Sequence, residues 1–292
     1  MFKDLVRLWL RSQRDAKGYY LRHVMLGNRS ALVRTRAVAG SRRGRSAFLF
    51  ATGPSMAKLD AAKVARYRRE RGFDVIGINF LLATPFGRTV EPTHYVVSDP
   101  AQWTAAIREN ELAHLGEKEA EAQRVAFRTA CETTWNELQR LKPELWVPLD
   151  QVASTPYEGA MGFCDAMDLF SDNVTDITRP LGYRPWTAYK ALSIACYLGY
   201  ERVYLCGVDN DSFRSLSVDN ENVKRSRYRH FYDADGEWQD FVSTNPLWED
   251  LYYTALTFRS LEKFKGLPIV NLDPESLVDS FSKHHDLDVY RS

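Results

Sequence analysis

Short apolar segments that each end in glycine or a polar residue alternate with helical segments through most of this 292-residue chain. The first runs over 46–52 (SAFLFAT) and the second over 73–79 (FDVIGIN), with further examples at 94–99 and 202–206. Short runs of this kind, rich in β-branched and aromatic residues, are typical of buried strands. Buried strands that alternate with helices indicate a mostly parallel sheet with helices packed on its faces.

The remaining periodic segments complete this pattern. Helices are predicted over about 57–71, 101–141, 187–198 and 247–264, and further strands at 145–148 and 268–271. We therefore predict an α/β fold with a Rossmann-like, mostly parallel sheet and flanking helices, preceded by a basic amphipathic arm.

Charge divides the chain into two parts. Residues 1–46 hold twelve Lys or Arg against two acidic residues, although the whole chain has a net charge of only +1. We predict a basic N-terminal arm at 1–45 and a single Rossmann-like domain at 46–292. An irregular section is expected at about 152–184, and a polar, lid-like excursion at about 210–246.

The basic arm has an amphipathic pattern. Apolar and basic residues alternate at helical spacing, with Phe2, Leu5, Val6, Trp9 and Leu10 on one face and Lys3, Arg7, Arg11 and Arg14 on the other. The apolar run is too short to cross a membrane. A basic amphipathic helix can lie on an anionic membrane surface, or the arm can pack on the folded body. Nucleic acid is not expected as a partner, because no recognition motif accompanies the charge.

The four cysteines form no C-x-x-C pair, so neither a zinc site nor a thiol-redox motif is expected. Nothing in their spacing requires an oxidising compartment. We predict a cytoplasmic protein, with the arm as a candidate peripheral contact to the inner face of the plasma membrane.

Polar residues follow four of the predicted strands: Gly53-Pro54-Ser55, Asn79, Ser98-Asp99 and Gly207-Val208-Asp209. In an open parallel sheet, ligands bind outside the carboxyl ends of the strands. Gly53 and Ser55 suit the approach of a phosphate, and Asn79 suits a base or ribose. Neither G-x-x-x-x-G-K-[ST] nor G-x-G-x-x-G occurs here, which disfavours the common nucleotide-binding motifs.

Two further patterns suggest chemistry near these strand ends. Asp209 and Asp211 have the D-x-D spacing that can hold Mg²⁺ or Mn²⁺ on a nucleotide, although ordinary helix capping would explain single aspartates as well. His230 lies among tyrosines and arginines in the polar excursion. An imidazole titrates near neutral pH, so His230 is a candidate general base.

Together these residues resemble a known family. The segments 51–56 (ATGPSM) and 188–209, with the strand that ends at Asn79, are similar to the bacterial sialyltransferases of glycosyltransferase family forty-two. They are also similar to the related domains of motility accessory factors and of an archaeal pterin pyrophosphokinase. The resemblance covers about 46–280, including the segment 271–277 (NLDPESL).

This resemblance implies a transferase that uses a CMP-linked sugar acid without a metal, with a histidine as the base for the acceptor hydroxyl. It places the donor-binding residues as follows: Gly53, Pro54 and Ser55 by the phosphate, Asn79 and Asp99 by the nucleotide, Arg184 and Thr187 by the sugar acid, and Gly207 and Asp209 at the end of the following strand. Tyr228 is the tyrosine available for the leaving phosphate. The base in the family is the second histidine of His-Tyr-x-x-His, whereas this chain offers only His230, which aligns with the first. The chain departs from the family pattern at Thr52, where the family has Asn, and at 210–213, which lacks the family's tyrosines.

We therefore predict a sialyltransferase-like glycosyltransferase that moves a nonulosonic-acid type of sugar from a CMP-linked or other nucleotide donor. The acceptor would be a cell-surface glycan or a lipid-linked glycan, and no cofactor would be needed. One alternative is a Mg²⁺-dependent pyrophosphokinase of the hydroxymethylpterin type, with Asp99, Asp209 and Asp211 as ligands. The other is a non-catalytic nucleotide-binding scaffold docked on a membrane.

Overall fold

The computed structural model describes residues 2–27, 29–107, 112, 115–168, 171–182, 186–228, 230–231, 239–243 and 246–291. Its large sheet contains β1 (Ser46–Phe50), β2 (Asp74–Ile78), β3 (His94–Val96), β4 (Glu144–Pro148), β5 (Met161–Phe163), β6 (Arg202–Cys206) and β10 (Ile269–Asn271). A small antiparallel sheet contains β7 (Ser217–Val218), β8 (Lys224–Tyr228) and β9 (Gln239–Ser243).

Eight α-helices connect or flank these strands in the described part of the chain. They are α1 (Phe2–Tyr19), α2 (Arg29–Ala37), α3 (Ala61–Arg71), α4 (Pro85–Val90), α5 (Pro100–Thr104), α6 (Glu117–Leu141), α7 (Thr187–Leu198) and α8 (Leu247–Glu262). A π-helix at Tyr20–Met25 and short 3₁₀ turns, including Pro54–Lys58, complete the elements used below. No helix in the described residues is long and apolar enough to cross a membrane.

The strand order is β10-β6-β1-β2-β3-β4-β5, and every pairing within the large sheet is parallel. The predicted α/β fold with a Rossmann-like parallel sheet and flanking helices is therefore confirmed. Strand β5 was not predicted, because Met-Gly-Phe is too short to show a periodicity. It lies inside the section predicted to be irregular.

Two other segments differ from the predictions. In the described residues, the segment predicted as one helix over 101–141 contains α5 and α6. Ala105 ends α5 in a left-handed conformation (φ 50°), and Glu119 caps the Gly116 amide at 3.1 Å before α6. The excursion at about 210–246 contains the small sheet β7–β8–β9. Its strands carry many charged and polar residues, so the sequence shows no apolar alternation there.

Helices cover both faces of the large sheet. Helices α3 and α4, which lie in the connections between β1, β2 and β3, pack on one face. This face buries Phe48, Phe50 and Tyr95. Helices α7 and α8 pack on the other face, against Leu49 and its neighbours. The direction in which the chain adds strands reverses between β5 and β6, because β6 pairs with the opposite side of β1. The topological switch point therefore lies between β1 and β6.

The described part of the basic N-terminal arm, which we call the N-terminal extension, packs against β5, the outermost strand on one side of the sheet. Ala16, Val24, Ala31 and Leu32 are buried in a small cluster with Leu149, Cys164 and Ala166. The Thr35 hydroxyl donates to the Gly162 carbonyl at 2.7 Å and accepts from the Gly162 amide at 3.2 Å. These contacts favour the interpretation in which the arm packs on the body. The domain boundary at residue 45 stays a prediction.

A buried polar cluster joins the end of the extension to the amino edge of the sheet. Asp74 is almost fully buried and accepts hydrogen bonds from Arg45 at 2.7 Å and from the Tyr200 hydroxyl at 2.8 Å. Arg42 forms an ion pair with Glu144 at 2.6 Å. A buried carboxylate needs such partners, because an isolated buried charge is strongly unfavourable. The basic residues before β1 therefore stabilise the sheet.

Two neighbouring residues of α2 test whether the extension belongs to the folded body. Leu32 is only 4% exposed, so Leu32→Ala is expected to lower the free energy of unfolding by roughly 2–5 kcal/mol through the cavity it leaves. Val33 is 63% exposed, and Val33→Ala should change that free energy by less than about 0.5 kcal/mol. Urea denaturation measures both variants. Equally small effects would contradict packing of the extension on the sheet.

Candidate functional site

The ends of four strands lie at one level along the carboxyl edge of the sheet. Phe50 of β1 pairs with Cys206 of β6 and with Gly77 of β2, and Gly77 in turn pairs with Tyr95 of β3. The residues that follow these positions are therefore level with each other across the edge. This register brings the predicted motifs after β1, β2, β3 and β6 to the same end of the molecule.

The loops after β1 and β6 bond directly to each other at the switch point. The Gly53 amide donates to the Gly207 carbonyl at 3.0 Å, and the Ser55 amide donates to the Asp209 carboxylate at 3.2 Å. The Ser55 hydroxyl accepts from the Gly207 amide at 3.1 Å. Gly53, Ser55, Gly207 and Asp209 thus form one hydrogen-bonded group, which we call the β1–β6 cluster. Pro54 opens the 3₁₀ turn that carries Ser55.

Close packing explains both glycines of the β1–β6 cluster. A Cβ atom on Gly53 would lie 2.1 Å from the Asp209 carboxylate and 2.6 Å from the Gly207 carbonyl. Gly207 has φ +79°, and a Cβ there would lie 2.8 Å from the backbone of Ala51. The observed reason for Gly53 is therefore the approach of the neighbouring loop. Its predicted contact with a phosphate stays a prediction.

Asp209 supplies the carboxylate of the β1–β6 cluster. It is 9% exposed, and burial raises its pKa to about 6. Hydrogen bonding from Ser55 opposes this rise, while the negative charges of Asp273 and Asp211 add to it. A buried carboxyl with a raised pKa in a cleft is a candidate functional group. Asp209 is protonated at mildly acidic pH and ionised above it.

His230 lies directly beside the end of β1. Its Nδ1 is 3.3 Å from the carbonyl oxygen of Thr52, and the amide of Phe231 donates to the same oxygen at 3.1 Å. The ring of Phe231 packs edge-on against Phe86 at 6.0 Å, which anchors this part of the excursion to α4. The structure thus brings His230 next to the β1–β6 cluster, although 178 residues separate His230 from Thr52.

The end of β2 presents an unsatisfied amide. Asn79 adopts a left-handed conformation (φ 52°), held by the hydroxyl of buried Tyr95, which donates to the Asn79 carbonyl at 2.7 Å. The side-chain Oδ1 of Asn79 is buried without a hydrogen-bond partner among the described residues. A buried polar atom without a partner carries a free-energy cost that a ligand could relieve. Asn79 is therefore a candidate ligand contact.

The residues after β3 have defined structural roles. Asp99 caps α5, since its carboxylate accepts from the Ala101 amide at 3.0 Å. Ser98 and Thr187 place their hydroxyl oxygens 2.8 Å apart, which brings the first turn of α7 to this edge. The predicted binding roles of Asp99 and Thr187 stay predictions. Arg184 and the side chain of Tyr228 lie outside the described residues.

Sequence reasoning gave no role to several residues near the β1–β6 cluster. Asp273 is buried, pairs with Lys58 at 2.8 Å and raises the pKa of Asp209. Asn271, at the end of β10, has a buried Nδ2 without a partner among the described residues. The sequence carries one signal for them, because Asn271 and Asp273 come at the end of one more predicted strand.

The metal alternative rests on Asp209 and Asp211. In the part of the chain that the structure describes, no group of three or more His, Cys, Asp or Glu is placed to hold a metal ion. Asp211 is half-buried and contributes to the electrostatics of Asp209. Binding of Mg²⁺ or Mn²⁺ by this pair stays a prediction.

Comparisons with known proteins give one distant likeness. The chain is similar to the MAf glycosyltransferase from Magnetospirillum magneticum AMB-1, with 13% sequence identity and a TM-score of 0.43. The likeness covers 85% of this chain and 35% of that protein, so the chain spans about a third of its length. No protein-family model matches the chain, and no similar protein is found among curated proteins. A likeness this distant assigns no function, and the family resemblance stays a prediction.

The raised pKa of Asp209 predicts a specific pH dependence of stability. A carboxyl whose pKa is higher in the folded state contributes stability that is present at low pH and lost as pH rises through about 6. A rise of about two units corresponds to about 3 kcal/mol. The free energy of unfolding of the wild type, relative to Asp209→Asn, should therefore fall by up to about 3 kcal/mol between about pH 4 and pH 7.

Urea denaturation across this range, with chelator present, measures the difference. Asp219 is a matched control, because backbone hydrogen bonding from Val223 lowers its pKa. The wild type should gain stability over Asp219→Asn as pH rises, which is the opposite sign. A wild type that gains stability over Asp209→Asn as pH rises would show that Asp209 is stabilised as an anion.

Proposed function

We propose that this protein is a glycosyltransferase that binds a nucleotide-linked donor at the carboxyl edge of its sheet. The observation that carries the proposal is the position of His230 beside the β1–β6 cluster. A candidate base, a polar loop pair and an unsatisfied amide at Asn79 converge where an open α/β sheet binds ligands. This combination supports group transfer to a hydroxyl acceptor.

The contact between His230 and Thr52 supports a role for the imidazole as a base. A backbone carbonyl only accepts hydrogen bonds, so the contact at 3.3 Å favours a proton on Nδ1. The lone pair is then on Nε2, which becomes the basic nitrogen of the ring. The neighbouring Phe231 amide bonds the same carbonyl and fixes the backbone at this position.

The proposed reaction is a displacement at the anomeric carbon. Nε2 of His230 takes the proton of the acceptor hydroxyl as the acceptor oxygen forms its bond to that carbon. The bond between the carbon and the phosphate oxygen breaks, and its electron pair leaves with the nucleotide. Stabilisation of the departing phosphate is the other requirement of this step.

The first turn of α7 is suited to that second task. Its position beside Ser98 brings helix amide groups and the positive end of the helix dipole to the carboxyl edge. Arg184 precedes this helix and Tyr228 lies in β8, and we propose that both contact the donor phosphate or sugar acid. The sequence resemblance supports a CMP-linked nonulosonic donor and a glycan or lipid-linked acceptor.

The Mg²⁺-dependent pyrophosphokinase is the alternative enzyme. It needs Asp99, Asp209 and Asp211 around one ion. The capping of α5 by Asp99 and the hydrogen bond from Ser55 to Asp209 give these carboxylates other partners. A nucleotide-binding scaffold would keep the site but would have no need of a base at His230. The experiment on His230 separates these possibilities.

Substitution of His230 tests the proposed base. His230→Ala should lower the rate of sugar transfer by about 10²–10⁴, because the acceptor hydroxyl loses its proton acceptor. Nucleotide affinity should be unchanged, as measured by calorimetry with CMP. His284 lies exposed in the C-terminal segment, so His284→Ala is a matched control that should retain full activity.

Turnover is measured as nucleotide release from CMP-, UDP- and GDP-linked sugars in the presence of acceptor glycans. Wild-type rates in His230→Ala would exclude this residue as the base. Binding of ATP with Mg²⁺ in preference to all these donors, and loss of it in Asp209→Asn, would favour the pyrophosphokinase. Nucleotide binding without turnover of any donor would favour the scaffold.

A further inference from the structure

Large apolar side chains are exposed along the N-terminal extension. They are Val6, Leu10, Leu21, Met25, Leu26 and Val33. Leu26 is the most exposed of them, at 79%. Exposed basic residues alternate with them in sequence: Arg14, Lys17, Arg22, Arg29 and Arg36. We call these eleven residues the N-terminal patch.

The packing of the extension explains why these side chains face solvent. Ala16, Val24 and Leu32 are buried against the segments after β4 and β5. Leu21 and Met25 are four residues apart in the π-helix and share a different face from buried Val24. The extension therefore already uses one face to bind the body, and the N-terminal patch is the face that remains.

The N-terminal extension reaches the carboxyl edge of the sheet near Gln13 and Tyr19. Tyr19 donates to Asp150 at 2.8 Å, and Gln13 donates to Asp168 at 2.6 Å. Asp150 follows the carboxyl end of β4, and Asp168 follows that of β5. The stretch around Gln13 and Tyr19, which includes Arg14 and Lys17 of the N-terminal patch, therefore lies beside the carboxyl ends of β4 and β5.

Charge identifies the kind of surface that fits. The extension carries a large excess of Lys and Arg, whereas the rest of the chain is net negative. The repulsion between an anionic surface and the acidic body orients the protein with its extension toward that surface. The apolar side chains among these cations gain no binding free energy from phosphate groups alone. They do gain it when they are buried in the interface of a lipid bilayer.

We propose that the N-terminal patch docks this protein on an anionic phospholipid bilayer, with the carboxyl edge of its sheet beside the membrane. Leu21, Met25 and Leu26 enter the interfacial region, and Lys17, Arg22 and Arg29 contact lipid phosphates. This docking is independent of the reaction proposed above.

A second exposed apolar group provides a control within the chain. Leu247, Trp248 and Leu251 at the start of α8 are also exposed, but Glu249 and Asp250 lie between them. Acidic neighbours disfavour an anionic bilayer. The two groups therefore present similar apolar side chains with opposite charge.

The test is sedimentation of the full chain with vesicles. Wild-type protein should bind vesicles of phosphatidylcholine with phosphatidylglycerol, and bind vesicles of phosphatidylcholine alone far more weakly. Replacing Lys17, Arg22 and Arg29 with Gln should lower the partition coefficient about a hundredfold, given about 1 kcal/mol for each basic residue. Replacing Leu21, Met25 and Leu26 with Ser should also lower it by at least tenfold.

Replacing Leu247, Trp248 and Leu251 with Ser should leave vesicle binding unchanged. Thermal unfolding of every variant confirms that the fold is retained, since all these side chains are exposed. Absence of wild-type binding to the anionic vesicles would overturn the proposal. Binding that depends equally on the α8 group would also overturn it, as would binding to RNA with no binding to vesicles.

Discussion

The pairing of β1 with β6 is the constraint on which the rest of the structure depends. It places β6 on the opposite side of β1 from β2, and thereby creates the switch point of the sheet. The pairing continues beyond the strand ends, where Gly53 bonds Gly207 and Ser55 bonds Asp209. Two glycines are required because the loops approach too closely for a Cβ atom. The resulting loop pair is closely packed and hydrogen-bonded, and it places a carboxylate in a buried position at the edge of the sheet.

The candidate site is assembled around this loop pair from parts that are distant in sequence. Thr52, the residue before Gly53, holds His230 and Phe231 through a single carbonyl oxygen. The excursion after β6 thus returns to the end of β1 at His230 and Phe231. Asp209 is ionised only above mildly acidic pH, because burial outweighs its hydrogen bonds. The chemistry we propose uses these features together: a candidate base, a buried carboxylate and the unpartnered Oδ1 of Asn79 at one edge of the sheet.

The sequence predicted the parallel sheet because its strands are buried along most of their length and consist of apolar runs. It predicted α7 and β6 with the bounds that the structure has, since Thr187–Leu198 and Arg202–Cys206 are strongly apolar and are separated by the helix-ending Gly199. It missed β5 and the small sheet, whose strands depend on tertiary contacts such as that of Thr35 with Gly162. The convergence of Gly53, Ser55, Gly207 and Asp209 followed from topology. The contact of His230 with Thr52 could not be predicted, because no periodicity governs a long polar excursion.

A crystal structure of the protein with bound CMP tests the central claim most directly. The account predicts the nucleotide at the carboxyl edge, with its base or ribose bonded to Asn79 and its phosphate between the β1–β6 cluster and the first turn of α7. The buried Oδ1 of Asn79 would then gain the partner it lacks among the described residues. A nucleotide bound elsewhere would contradict the account. The cavity lined by Phe258, Arg259 and Leu277 is one such place, since it lies between α8 and the C-terminal segment.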